Sequence, residues 1–135
     1  MKKIISIVTP FFNEEDLILT YYREMVSVFS RIKDYDFELI CVDDGSVDET
    51  LNILIRISID DRRVRVIELS RNFGKEAALT AGIDSAIGDA VIPIDADLQD
   101  PPELIISMVQ EWSKGAEIVL AVSYTHLTLP TKRIV

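Results

Sequence analysis

A single cysteine, Cys41, rules out an internal disulfide in this 135-residue chain. It sits in the apolar run Leu39-Ile40-Cys41-Val42, which reads as a core position and suits a reducing compartment. One histidine, His126, leaves no Cys/His spacing for zinc and no Ser/His pairing for a hydrolytic triad. Basic residues are few: 14 Lys and Arg against 23 Asp and Glu give a formal net charge of -9. The lack of a basic stripe to release counterions from phosphates argues against broad nucleic-acid binding. An acidic chain can still take an anionic ligand where a metal or a few local Lys and Arg residues reverse the field. No apolar run reaches the roughly 18 residues of a membrane span. Met1-Lys2-Lys3 leads directly into a short strand-like run, which reads as a chain without a signal peptide, soluble and cytoplasmic as it stands. No Gly-x-Gly-x-x-Gly follows the first strand, which argues against a dinucleotide oxidoreductase. No Gly-x-x-x-x-Gly-Lys-Ser/Thr loop marks a P-loop nucleotidase.

Hydrophobic residues at 48% and charged residues at 27% instead specify one folded globular domain. Strands are predicted at Ile4 to Val8 (halted by Pro10), Phe37 to Val42, Val64 to Leu69, Ala90 to Ile94 and Glu117 to Val122. A first helix opens on Asn13-Glu14-Glu15-Asp16, acidic residues favouring its amino end, with Leu17, Tyr21, Met25, Val28 and Ile32 as its apolar face. Ser46 or Asp48 caps a second helix whose apolar positions include Leu51, Leu54, Ile55 and Ile59. A third runs from about Glu76 to Ile87, closed by Gly88, and a fourth from Pro101-Pro102 to about Lys114, stopped by Gly115. Strands alternating with helices predict an α/β fold: a mostly parallel, Rossmann-like sheet with helices on both faces.

Ligands of such sheets bind beyond the carboxyl ends of the strands. Polar residues gather at four of those ends: Asn13 and Glu14, Asp43 and Asp44, Arg71 and Lys75, Asp95 and Asp97. Asp95-Ala96-Asp97 closes a buried strand and is followed by Pro101-Pro102, so two carboxylates are delivered with little freedom. Their hard oxygens suit Mg2+ or Mn2+, and Gln99 can add a neutral oxygen. Asp100 reads as a cap for the next helix. In Asp43-Asp44-Gly45-Ser46 one carboxylate can accept hydrogen bonds from a base or ribose. Arg71 and Lys75, with Gly74, precede a helix amino terminus, where backbone amides favour a phosphate.

Four stretches occur in order: Val8-Thr9-Pro10-Phe11-Phe12-Asn13-Glu14, Val42-Asp43-Asp44-Gly45-Ser46-Val47-Asp48-Glu49-Thr50, Ser70-Arg71-Asn72-Phe73-Gly74-Lys75-Glu76-Ala77-Ala78 and Asp95-Ala96-Asp97-Leu98-Gln99-Asp100-Pro101-Pro102. Together they resemble the family 2 glycosyltransferases of GT-A fold. The branch is that of the polyprenyl-phosphate glycosyltransferases, which includes dolichol-phosphate mannose synthase and bactoprenol-phosphate glucosyltransferases. The resemblance runs from about Ile4 to Val122. It implies metal-dependent transfer of a hexose, with inversion, from a UDP- or GDP-sugar to a polyprenyl phosphate. By the same resemblance Pro10, Phe12, Glu14, Val42 and Asp44 hold the base and ribose. Asp95, Ala96, Asp97 and Gln99 hold the metal-diphosphate, with Asp95 and Asp97 catalytic and Asp97 and Gln99 the foremost ligands. Arg71 and Lys75 complete the nucleotide-sugar site.

After Val122 the family continues with an acceptor segment, amphipathic helices and often membrane spans, which place it at the cytoplasmic face of the membrane. Here Ser123 to Val135 instead looks similar to a spurious peptide translated from sequencing-adapter DNA, the alternative being a natural terminal strand and tail. The expected division is therefore a nucleotide-sugar-binding domain over residues 1–122 and a non-native tail over 123–135. Two other functions fit parts of the pattern. One is a nucleotide-binding or assembly module without catalysis. The other is a metal-dependent phosphatase with Asp95 as nucleophile, although those enzymes carry Asp-x-Asp after the first strand, not the fourth.

Overall fold

A computed structural model describes residues 2–99 and 101–115. Strand β1 (Ile4–Phe11) leads to helix α1 (Ile18–Arg31), and β2 (Asp36–Asp43) to α2 (Thr50–Asp60). Then β3 (Val64–Glu68) leads to α3 (Lys75–Ser85), and β4 (Ala90–Pro93) to α4 (Pro102–Ser113). The strands form one sheet in the order β3-β2-β1-β4, and every pairing is parallel. That is the expected α/β architecture. The strand expected at 117–122, the tail at 123–135 and the cap role of Asp100 lie outside the described residues.

The apolar runs of the strands are continuous because both faces are covered. On one face Tyr21 of α1 shares a hydrogen bond with Thr9 and stands edge-on to Phe11, with ring centroids 5.2 Å apart. Phe29 of the same helix stacks on Phe37 at 4.3 Å. On the other face α3 lies against β1 and β2 so closely that a Cβ on Gly82 would sit 2.4 Å from Val8 Cγ1 and 2.9 Å from Val42 Cγ2. Cys41 is buried in β2, and burial pushes its thiol up to about 12. Native protein at about pH 8 is therefore expected to resist alkylation by iodoacetamide, and denatured protein to react fully. Intact-mass measurement of the two samples checks this.

The differences from expectation have local causes. Pro10 does not halt β1, which pairs on to Pro10↔Val42 and Phe11↔Asp43. Val8 O accepts from Ile94 N–H on the β4 side, and Phe11 O accepts from Asp44 N–H on the β2 side. By that alternation the missing Pro10 N–H faces the β4 side, where pairing has already ended at Val8↔Pro93. Helix α1 starts at Ile18, not at Asn13, and has no acidic residue in its first turn. Asn13, Glu14 and Glu15 are held by the loop after β2 instead, as described below. Ile18 is buried and Leu17 exposed, so the inner face begins one residue later.

In α2 the inner positions are Thr50 and Leu54, and Ile59 is 75% exposed. Neither Ser46 nor Asp48 is the N-cap, which is Glu49. Asp48 Oδ1 nevertheless accepts from Thr50 N–H at 2.9 Å and holds the first helical amide. Gly88 does not close α3, which ends at Ser85 with Ala86 as C-cap. It is a glycine of close approach: a Cβ there would meet Ser6 Oγ at 2.4 Å.

That contact belongs to a buried polar cluster. Glu38 accepts hydrogen bonds from Ser6 Oγ at 2.6 Å, Ile87 N–H at 2.8 Å and Arg65 at 2.6 Å, while Ser6 Oγ accepts from Gly88 N–H at 2.9 Å. Burial disfavours the Glu38 charge, but the Ser6 hydroxyl, the Ile87 amide and Arg65 outweigh it and hold the carboxyl below its ordinary value. A depressed folded pKa gives stability that is present above the unfolded value of 4.5 and lost as pH falls through the folded one. Glu38→Gln is expected to destabilise by about 1–3 kcal/mol near neutral pH. The gap between wild type and variant should narrow progressively in melts as pH falls below 4.5.

Candidate functional site

Because all strands run parallel, their carboxyl ends share one edge of the sheet, and a cleft of about 360 Å³ opens there. Pro10, Phe12 and Glu14 reach it from the end of β1, and Asp44 from β2. Asn72, Gly74 and Lys75 come from the connection after β3, and Asp95, Ala96, Asp97 and Gln99 from β4. Four strand ends thus build one site.

The loops that follow β1 and β2 are fastened to each other. Asn13 takes a left-handed backbone (φ 51°). Its N–H donates to Ser46 Oγ at 2.9 Å, and its Oδ1 accepts from Val47 N–H at 2.8 Å. Glu14 N–H donates to Thr50 Oγ1 at 2.9 Å, and Glu15 N–H to Asp48 Oδ2 at 3.4 Å. These partners lie more than thirty residues apart, and their bonds displace the start of α1. They also turn the Glu14 carboxylate inward, where it accepts from Phe12 N–H at 3.2 Å. Burial raises the Glu14 pKa above its ordinary value, the Phe12 amide opposes that, Asp97 and Asp95 add to it, and Lys75 counters.

Asp43 and Asp44, equivalent in the sequence, differ in the structure. Asp44 is 3% exposed, and its two oxygens accept from the backbone amides of Phe73 at 2.8 Å and Gly74 at 3.1 Å. It therefore fixes the connection that carries Lys75. Gly45 (φ 73°) allows this, since a Cβ there would meet Arg71 C at 2.3 Å and Asn72 N at 2.4 Å. Asp43 Oδ1 is buried with no hydrogen-bond partner among the described residues. An acceptor left in that state has a donor to gain.

Two expected site residues do not line the cleft. Val42 is fully buried beneath it, against α3. Arg71 places its guanidinium over the Phe73 ring, 4.6 Å from the centroid. Asn72 lines the cleft without having been singled out. Its signal was its place beside Gly74, between the end of a strand and the start of a helix.

On the opposite wall Leu98 is left-handed (φ 55°), its N–H donating to Asp95 O at 3.3 Å. That turn brings Gln99 back toward Asp97, whose Oδ1 accepts from Gln99 N–H at 3.3 Å. Lys75 forms an ion pair with Asp95. Among the described residues no cluster of three or more acidic, histidine or cysteine side chains gathers as a full metal cage. Asp95, Asp97 and Gln99 fit a different kind of site, in which a hard cation takes a few protein oxygens and leaves the rest to water and phosphate. The ammonium already beside Asp95 shows that this corner favours positive charge. With Glu14, Asp44, Asp95 and Asp97 against Lys75, the cleft needs added cationic charge before it can take a diphosphate.

Comparison with known proteins agrees with this geometry. The family described as glycosyl transferase family 2 matches residues 6–133. An uncharacterized glycosyltransferase from Synechocystis sp. is 52% identical over 117 residues, covering 87% of this chain and 36% of that protein. The bactoprenol glucosyl transferase of Shigella phage SfV is 48% identical over 117 residues, covering 87% and 38%. The chain thus spans little more than a third of the length of the curated relatives it matches. Among solved structures, glucosyl-3-phosphoglycerate synthase from Mycobacterium tuberculosis, in complex with Mn2+, UDP and glucosyl-3-phosphoglycerate, superposes with a TM-score of 0.63. It is 29% identical, with 86% of this chain and 42% of that one covered. A mannosyltransferase from Pyrobaculum calidifontis, in complex with GDP-Man and Mn2+, gives a TM-score of 0.61 at 23% identity, covering 75% and 34%. The fold is that of GT-A glycosyltransferases, and the chain belongs to glycosyl transferase family 2.

Proposed function

We propose that this chain is the donor-binding part of a glycosyltransferase that moves a hexose from a UDP- or GDP-sugar to a polyprenyl phosphate, with Mg2+ or Mn2+ and with inversion. One observation carries the proposal: Asp95, Asp97 and Gln99 line a single cleft with Lys75 and Gly74, and Phe12, Glu14 and Asp44 line the same cleft. A metal-diphosphate suits the first group and a nucleoside the second. The relatives named bactoprenol glucosyl transferase support the lipid acceptor. The neighbours in complex with Mn2+ and with UDP or GDP-Man support the donor and the metal.

Asp95 and Asp97 would hold the divalent cation with the Gln99 side-chain oxygen. When bound, that cation supplies Lewis-acid neutralisation of the charge growing on the departing nucleoside diphosphate. Lys75, at the start of α3, would face the same diphosphate. Asp44 lines the cleft where the nucleoside would sit. The acceptor phosphate is anionic near neutral pH and can attack the anomeric carbon directly. The absence of histidine before residue 126 is compatible with that chemistry.

Among the described residues no helix is long and apolar enough to cross a membrane. Association of the whole protein with the cytoplasmic face of a membrane would come from outside them. Residues 1–122 are proposed as the donor-binding unit, with 123–135 outside it. Equilibrium dialysis against labelled UDP, UMP, GDP and GMP in Mn2+ tests the reading. One diphosphate should bind about tenfold or more tighter than its monophosphate, a difference of about 1.4 kcal/mol. Equal binding of the two would remove the diphosphate site.

A further inference from the structure

Lys75 and Asp95 differ in how firmly each is held. The Lys75 side chain is 54% exposed and that of Asp95 15%. Asp95 follows Ile94, whose N–H continues the ladder to Val8 O at 2.9 Å, and its own carbonyl accepts from Leu98 N–H at 3.3 Å. The backbone of Lys75 is equally fixed, because Asp44 grips the amides of Phe73 and Gly74 just before it. The member of the pair that can leave is therefore the lysine side chain, about a stationary Cα. We propose that Lys75 is a tethered stand-in for the divalent cation. It neutralises Asp95 when the cleft is empty, yields that carboxylate when the metal arrives, and turns to the diphosphate that comes with it. The proposal rests on the donor-binding reading above and adds to it a coupling between metal and nucleotide.

Charge decides the direction. Asp95 shares the cleft with Glu14, Asp44 and Asp97, and Lys75 is the one cation among the described residues that line it. Metal alone must displace that cation, so its affinity in the absence of nucleotide is held down by the fraction of time Lys75 occupies Asp95. A nucleoside diphosphate offers the displaced ammonium a new anion at the helix amino terminus, so its arrival favours the metal, and by reciprocity the metal favours it.

The test is Lys75→Met, with Lys75→Arg as the variant that keeps the charge, each checked for folding by circular dichroism. Mn2+ alone is titrated and free Mn2+ read by electron paramagnetic resonance; UDP and GDP are then titrated in saturating Mn2+. Lys75→Met should bind Mn2+ alone about three- to tenfold tighter than wild type, because its competitor is gone. It should bind the nucleoside diphosphate at least about tenfold more weakly, and Lys75→Arg should remain near wild type in the Mn2+ titration. Unchanged or weaker Mn2+ binding by Lys75→Met overturns the stand-in role. Failure of the donor reading would look different: wild type would bind neither UDP nor GDP in Mn2+, while the Mn2+ titrations would still decide the role of Lys75.

Discussion

Asp97→Ala is expected to lower the affinity for UDP or GDP in Mn2+ by about a hundredfold, about 2.7 kcal/mol, with little change in melting temperature. The two halves of that expectation come from different features. Asp97 is exposed, and among the described residues its side chain accepts a long hydrogen bond from the amide of Gln99. Removing such a group costs a fold about 0.5 kcal/mol or less. The same carboxylate lines the cleft beside Asp95 and is close enough to raise the pKa of Glu14, so its charge is felt across the site. In the proposed site, its loss would leave the metal with Asp95 and Gln99 alone. Asp95→Ala would separate the two effects less cleanly, since Asp95 is mostly shielded and paired with Lys75. Calorimetric titration of the nucleotide together with a thermal melt reads both quantities.

Gly45→Ala should be the most damaging glycine substitution at the site, lowering the melting temperature by about 10 °C and weakening nucleotide binding with it. Alanine at φ 73° carries a left-handed penalty of about 1 kcal/mol. Steric overlap costs more. The new methyl would lie 2.3 Å from Arg71 C and 2.4 Å from Asn72 N, backbone atoms that no rotamer change can remove. The 71–74 connection must shift, and the bonds from Phe73 and Gly74 to the Asp44 carboxylate loosen, each worth about 1.5–3 kcal/mol as a bond to a charged acceptor. Gly74→Ala is the control. It also has a positive φ, 103°, but its Cβ would meet nothing within 4 Å, so a backbone cost of about 1–3 kcal/mol without steric overlap is expected. If the two variants melted alike, close approach at Gly45 would not be what holds the connection.

How much of this was legible in the sequence follows from the range of the interactions. The strands could be read because parallel strands covered on both faces are continuous apolar runs, and such runs are local. The gathering of Glu14, Asp44, Lys75 and Asp97 on one edge could be read as well, since parallel topology places every strand's carboxyl end on the same side. What the residues hid was long-range. Asn13-Glu14-Glu15 has the composition of a helix start, but its amides and side chains bind Ser46, Val47, Asp48, Glu49 and Thr50, and α1 begins later. The isoleucines of α2 offered two faces of similar hydropathy. The sheet takes the one with Leu54 and leaves Ile59 in solvent. Nothing in the pair Asp43-Asp44 told which would grip the neighbouring loop and which would keep an unpartnered oxygen. The pairing of Lys75 with Asp95 depends on how α3 and β4 lie against each other, which no local pattern encodes.

The central claim is that an acidic cleft takes up a nucleoside diphosphate through a divalent cation held by Asp95, Asp97 and Gln99. The most direct measurement is calorimetric titration of the chain with UDP and with GDP, once in Mn2+ and once in excess chelator. Saturable binding of one nucleotide in Mn2+, weakened at least about tenfold by the chelator, is the expected result. Equal affinity in both conditions would contradict it.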